Sequence, residues 1–162
     1  MTYSFSWHKS EFFPLNKDHR SGGRISDTLY TDTFTNLGNL LSSVPGTPSK
    51  AYYYKIFVKN ISSDTLYSGR VFITSVSSGL TIRIAKEKIV NDYSSKLTDI
   101  PTGYTDNDFL YTNDYYDGVN IGTMSAGSQI GIWLKITLQD GTLINSQNKI
   151  SDFKISLEGR TS

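Results

Sequence analysis

Apolar and polar residues alternate along residues 128–138, which read S-Q-I-G-I-W-L-K-I-T-L. Five aliphatic residues fall on every second position, namely Ile130, Ile132, Leu134, Ile136 and Leu138. Successive side chains of a β-strand point to opposite faces, so these five share one face, whereas a helix with a period of about 3.6 would scatter them. The pattern predicts a central strand of a β-sandwich, with the aliphatic row in the core.

The same alternation recurs elsewhere in the chain. In residues 51–60, Tyr52, Tyr54, Ile56 and Val58 occupy one face of a second long strand. Further strands are predicted at 24–30, 66–75, 80–85, 119–121 and 152–158. Because the strands at 51–60, 66–75 and 80–85 are closely spaced and joined by tight turns, we expect a β-meander or a Greek key there.

Two stretches lack a clear period. Residues 86–117 are rich in Asp, Asn, Ser, Thr and Tyr, and we expect a long irregular loop with a short strand at 109–112. Residues 35–50 contain Leu37, Leu40, Leu41 and Val44, which could form one helical turn or pin a loop to the sandwich.

The N-terminal stretch has one aromatic face. Tyr3, Phe5 and Trp7 alternate with small polar residues. This row fits a first strand packed on its own domain, and it also fits an arm that docks on a neighbouring subunit or a ligand.

Composition narrows the class of protein. The 162 residues suit one domain, and the net charge of +1 provides no electrostatic footprint for nucleic acid or an anionic membrane. No stretch approaches the roughly 20 apolar residues of a membrane-spanning helix, and no secretory leader is evident. The chain has no cysteine, which excludes disulfides and thiolate metal sites. We expect synthesis in the cytoplasm, and a particle component that works outside the cell fits equally well.

No catalytic motif is recognisable, so we expect no catalytic, cofactor-binding or metal-ligating residues and no bound cofactor. The only two histidines, His8 and His19, have no partner at metal-ligand spacing. Oxygen-bearing side chains crowd residues 105–118 and favour either a solvated turn or a Ca²⁺ site. They are Asp106, Asp108, Asn113, Asp114 and Asp117.

Aromatic side chains supply the remaining candidates. Tyr111, Tyr115 and Tyr116 lie among those polar residues, and Trp133 lies opposite the aliphatic row of its strand. Exposed aromatics of this kind suit a protein interface or sugar stacking. For Trp133 the alternative is burial, either in a two-sided sandwich or under the long loop.

Three segments of the chain share a pattern with known proteins. They are G-G-R-I-S at residues 22–26, the block from Asn36 through Y-Y-Y-K-I-F-V-K-N at 52–60, and I-G-T-M-S-A-G-S-Q-I-G-I-W-L-K-I-T-L at 121–138. Together they resemble a family of small structural proteins of tailed bacteriophages. The resemblance implies an Ig-like antiparallel β-sandwich and a role as a virion component without catalytic residues. It spans roughly residues 22–157, and residues 86–117 have no counterpart in it.

These observations give one set of expectations. Residues 1–23 form an N-terminal arm or first strand, and residues 24–162 form the all-β, Ig-like sandwich with its long irregular loop. The protein would be a non-enzymatic virion component, such as a head decoration or a tail- or head-associated protein, that contacts other virion proteins and forms homo-oligomers. The alternative is a carbohydrate-binding module. The interface candidates are Tyr3, Phe5, Trp7, Tyr111, Tyr115, Tyr116 and Trp133.

Overall fold

A computed structural model describes residues 3–11, 22–30, 51–76, 80–94, 99–138 and 153–161. They contain eight strands: β1 (Phe5–Glu11), β2 (Arg24–Tyr30), β3 (Ala51–Asn60), β4 (Leu66–Val76), β5 (Leu80–Lys86), β6 (Val119–Met124), β7 (Gln129–Leu138) and β8 (Phe153–Arg160). A 3₁₀ turn (Asp106–Asp108) precedes β6. The predicted helical turn within residues 35–50 lies outside the described residues. No helix in the described ranges is long and apolar enough to span a membrane.

The strands form two antiparallel sheets. The large sheet has the order β2-β1-β3-β7-β5, and the small sheet has the order β6-β4-β8. The two sheets bury one apolar core between them. The predicted all-β sandwich is therefore confirmed.

The predicted strand registers are correct where the two sheets face each other. In β7 the aliphatic row enters the core, with Ile132, Leu134 and Ile136 fully or almost fully buried. In β3 the residues from Tyr52 to Val58 on the predicted face enter the same core. Side chains of β4 and β8 complete it from the small sheet: Leu66, Val71, Ile73, Phe153, Ile155 and Leu157.

The N-terminal segment is a strand of the large sheet. β1 lies between β2 and β3 and pairs with both. Trp7 lies opposite Val58 of β3, and Glu11 lies opposite Arg24 of β2. Trp7 is only 5% exposed and belongs to the core. Of the two interpretations of this segment, the structure has the first strand, which runs from Phe5 to Glu11.

The strand order and the pairing decide two local predictions. Of the β-meander and the Greek key expected for β3, β4 and β5, the meander is excluded, because the chain crosses to the small sheet for β4 and returns for β5, so that β3 and β5 flank β7. The strand expected at 109–112 is absent, although the structure describes these residues. Only Leu110 pairs there, through an isolated bridge to Ile84.

Truncating a core side chain of β7 should destabilise the fold. Leu134 is completely buried, so Leu134→Ala should lower the free energy of unfolding by about 2–5 kcal/mol through lost burial and a residual cavity. Thr137→Ala on the opposite face of the same strand is the control and should cost much less. Urea unfolding of both variants tests the register, and similar losses for the two would contradict it.

Removing residues 1–10 should also destabilise the domain. The deletion takes away Trp7 and the strand that joins β2 to β3, which exposes core and unpairs two strand edges. We expect a marked fall in melting temperature or insoluble expression. An unchanged melting temperature would restore the docking-arm interpretation.

Candidate functional site: the loop-covered face of the large sheet

The connection from β5 to β6 covers the outer face of the large sheet. Trp133 of β7 points to this face, away from the core, and is completely buried beneath the connection. Tyr104 meets its ring edge-on at a centroid distance of 6.2 Å, and Phe109 meets Tyr53 of β3 at 5.4 Å. With Ala85, these aromatic residues form a second apolar cluster. The long loop is therefore packed on the sheet.

Hydrogen bonds and ion pairs also hold the loop on the sheet. Leu110 exchanges two backbone hydrogen bonds with Ile84, at 3.0 and 2.8 Å. Lys135 donates to Asp106 at 2.8 Å, and Lys88 donates to Asp108 at 2.8 Å. These exposed or partly exposed ion pairs contribute little each, so the aromatic packing supplies most of the attachment.

A buried ionic group lies beside the aromatic one. Lys55 of β3 has no exposed surface, and the carboxylates of Glu87 and Asp92 are each only 9% exposed. Lys55 Nζ lies 2.5 Å from Glu87 Oε2 and 2.7 Å from Asp92 Oδ1. It also donates to the backbone oxygens of Asp92 and Gly23. We call these three charged residues, together with Tyr104 and Trp133, the Lys55 cluster.

Two neutral side chains also donate hydrogen bonds to the carboxylate of Asp92. Trp133 Nε1 donates to Asp92 Oδ1 at 2.9 Å, and the Tyr104 hydroxyl donates to Oδ2 at 2.7 Å. Burial, reinforced by the hydrogen bond to Asp92, raises the pKa of Tyr104 far above its ordinary value, so the phenol keeps its proton. Every carboxylate oxygen of Asp92 therefore has a partner.

Two glycines make room for the cluster. A Cβ at Gly131 would lie 2.7 Å from both Glu87 Oε2 and Lys55 Cε. Gly22 has a φ of +112°, and a Cβ there would lie 2.6 Å from the backbone oxygen of Asp92. Larger residues at either position would displace the charged groups.

Sequence reasoning missed the Lys55 cluster. Lys55 alternates out of the apolar row of β3, which normally indicates a solvent-facing residue. The neighbours of Lys55 on the same face could have indicated its burial, since Tyr53 and Phe57 are both large aromatic residues. An aromatic-lysine-aromatic face indicates a covered surface more than an open one.

The acidic residues of the loop hold its own backbone. Asp117 Oδ1 accepts from the amides of Asn113 and Asp114, each at 3.0 Å, while Asp114 Oδ1 accepts from those of Tyr116 and Asp117. Asp106 and Asp108 pair with lysines. In the described ranges no three His, Asp or Glu side chains are grouped to hold a metal ion.

The aromatic candidates separate into exposed and buried residues. Tyr116 is 85% exposed and Tyr111 is 59% exposed, whereas Tyr115 is half-buried and donates to the backbone oxygen of Ser68 at 2.9 Å. Trp133 is buried and presents no surface to a partner in this conformation.

The N-terminal aromatic row forms a separate region. Tyr3 and Phe5 are half-buried and stack with nearly parallel rings, and with Trp7 they line a groove of about 370 Å³ against β8. The structure therefore does not bring this row together with the loop tyrosines.

Comparison with known proteins adds no relative. No family model, no curated protein and no solved structure matches the chain.

The turn at residues 113–118 should loosen in acid. The amides of Asp114 and Asn113 hold the pKa of Asp117 below its usual range. Because the folded pKa is the lower one, the stabilisation is complete above the unfolded pKa of about 4 and is lost as the pH falls through the folded value. The amide resonances of Asn113 and Asp114 should therefore shift together as the pH falls below about 4.

The variant Asp117→Asn is the matched control for this titration. It keeps an acceptor oxygen for the two amides and removes the ionisable group. Its amide resonances should not follow the acid transition. An identical transition in the variant would assign the effect to another group.

Proposed function

We propose that the protein is a non-enzymatic structural component of a bacteriophage virion, with an Ig-like sandwich that acts through protein-protein contacts. The supporting observation is the distribution of exposed apolar side chains. Most of the large ones in the described part of the chain lie on the loop: Ile89, Val90, Tyr93, Ile100, Leu110, Tyr111 and Tyr116. Such side chains on a rigid base are typical of interaction surfaces.

The base of this surface is rigid for a physical reason. The loop is held by the aromatic cluster and by the Lys55 cluster, so the exposed side chains are preorganised and little ordering entropy is lost when a partner binds. Tyrosine adds a large contact area with few rotatable bonds. The partners we propose are other virion proteins and further copies of the same chain, at the head or the tail.

A carbohydrate-binding module is the alternative, and one observation favours it. Tyr111 and Tyr116 are exposed beside the polar side chains of the turn, an arrangement that suits stacking against a sugar ring. Against it, Asp114 and Asp117 already accept hydrogen bonds from the backbone, which leaves fewer acceptors for sugar hydroxyls.

Replacing the two exposed tyrosines should impair incorporation into particles without unfolding the domain. In Tyr111→Ser/Tyr116→Ser, the backbone contacts of the turn remain, so we expect a change in melting temperature of no more than a few degrees. Interface tyrosines of the hot-spot class cost about 2 kcal/mol or more when truncated, so incorporation should fall about tenfold or further. Quantitative mass spectrometry of purified particles measures it.

Leu29→Ser is the matched control. Leu29 is 60% exposed and lies on β2, at the opposite edge of the large sheet from β5. The Leu29→Ser substitution removes exposed apolar surface away from the loop and should leave incorporation unchanged. Absence of the chain from purified particles would refute the proposal, and glycan-array binding that the tyrosine variant loses would favour the alternative.

A further inference from the structure

The Lys55 cluster contains the reactants of an amide condensation. It has a primary amine, a carboxyl group in contact with it, and a second carboxylate that can move a proton between them. We propose that Lys55 and Asp92 become joined by an intramolecular isopeptide bond, with Glu87 as the acid-base residue. The inference concerns a modification of the chain itself and holds whichever partner the loop contacts.

Proximity is the first argument. Lys55 and Asp92 lie 37 positions apart in the chain, yet Nζ is 2.7 Å from Asp92 Oδ1. The amine is also held by the backbone oxygens of Asp92 and Gly23, at 3.0 and 3.2 Å. Fixing two reacting groups in this way replaces an encounter in solution with a step that has a high effective concentration.

Exclusion of water is the second argument. Lys55 is completely buried, and its Nζ lies 5.0 Å from the centroid of the Phe57 ring and 5.6 Å from that of Trp133. Charges removed from water are costly, and moving one proton from the ammonium to a carboxylate turns an ion pair into two neutral groups. A neutral amine and a protonated carboxyl are the species that condense, and the same lack of water protects the product from hydrolysis.

The condensation balances without any further reagent. A proton passes from the Lys55 ammonium to the Asp92 carboxylate through Glu87, which leaves a neutral amine beside a carboxylic acid. The Nζ lone pair attacks Asp92 Cγ and forms the C–N bond. Glu87 then takes a proton from the attacking nitrogen and delivers it to Oδ1, the C–O bond to Oδ1 breaks, and one water molecule leaves.

Two neutral donors are placed to assist this step. Tyr104 donates to Asp92 Oδ2, the oxygen that becomes the amide carbonyl, and so stabilises the negative charge that develops there. Trp133 donates to Oδ1, the departing oxygen. These two residues bind the reacting carboxyl group, and the proton transfer belongs to Glu87, whose Oε2 is 2.5 Å from Nζ.

Other lysine-carboxylate pairs of the described residues provide an internal comparison. The Lys88–Asp108 pair has side chains 45% and 27% exposed, and the Asp106 side chain that pairs with Lys135 is 75% exposed. Both pairs face water and lack a second carboxylate on the amine. We therefore expect condensation at Lys55 and none at Lys88 or Lys135.

The experiment is intact-mass and peptide analysis of the purified, denatured chain. The expected mass is lower by one water molecule than the mass calculated from the sequence of the purified chain. Tryptic digestion should yield one branched peptide that joins the segment containing Lys55 to the segment containing Asp92. Dehydration of an aspartate to a succinimide would give the same mass loss with two separate peptides, and that result would overturn the proposal.

Two variants test the role of Glu87. Glu87→Gln keeps the size and hydrogen-bonding capacity of residue 87 but removes the acid-base group, so the chain should show the full sequence mass. Asp108→Asn, which disrupts the exposed comparison pair, should retain the branched peptide. Because wild-type protein carries the decisive measurement, a variant that fails to fold does not affect it: an unmodified Lys55 in wild-type peptides would overturn the proposal.

Discussion

The pairing of β3 with β7 is the constraint on which the rest of the structure depends. The two strands stay in register from Ala51 opposite Thr137 to Lys59 opposite Gln129, at the centre of the large sheet. Both strands are covered on both faces, by the small sheet on one side and by the β5–β6 loop on the other. A slip of β3 by one residue would exchange the two faces of that strand, placing Lys55 in the aliphatic core and its own apolar residues Tyr54, Ile56 and Val58 against Glu87 and Asp92.

The strands and registers of the core-facing layer could be predicted well from the sequence, because their apolar residues recur at every second position. Ile132, Leu134 and Ile136 alternate strictly, and so do the apolar residues of β3 and β8, so strand positions and registers could be predicted. Strand neighbours could not be predicted in the same way. The passage of the chain from β3 to the small sheet depends on contacts between residues far apart in sequence, and short turns between strands are compatible with either a meander or a crossing.

The outer layer was much harder to predict, since a loop without a period gives no local sign of what it covers. The alternation of β7 is compatible with either an exposed or a buried Trp133, and the structure buries it. Lys55 was not recognised because a single lysine on the polar face of a strand is normally solvated. Its environment is set by Glu87 and Asp92, which approach it only when the loop folds back. Among the tyrosines, the sequence could not separate Tyr115, which is half-buried against β4, from the exposed Tyr111 and Tyr116.

The contacts of Asp92 give this outer layer a cooperative character. One residue binds β3 through Lys55, β7 through Trp133 and the start of β2 through the amide of Gly23, which donates to its backbone oxygen at 2.8 Å. As long as Lys55 and Asp92 are not covalently joined, local opening of the loop at this point would release all three contacts at once, because none of them can be kept when Asp92 leaves. The layer therefore behaves as one unit in native-state fluctuations, and a disturbance at the loop is transmitted directly to the far edge strand of the sheet.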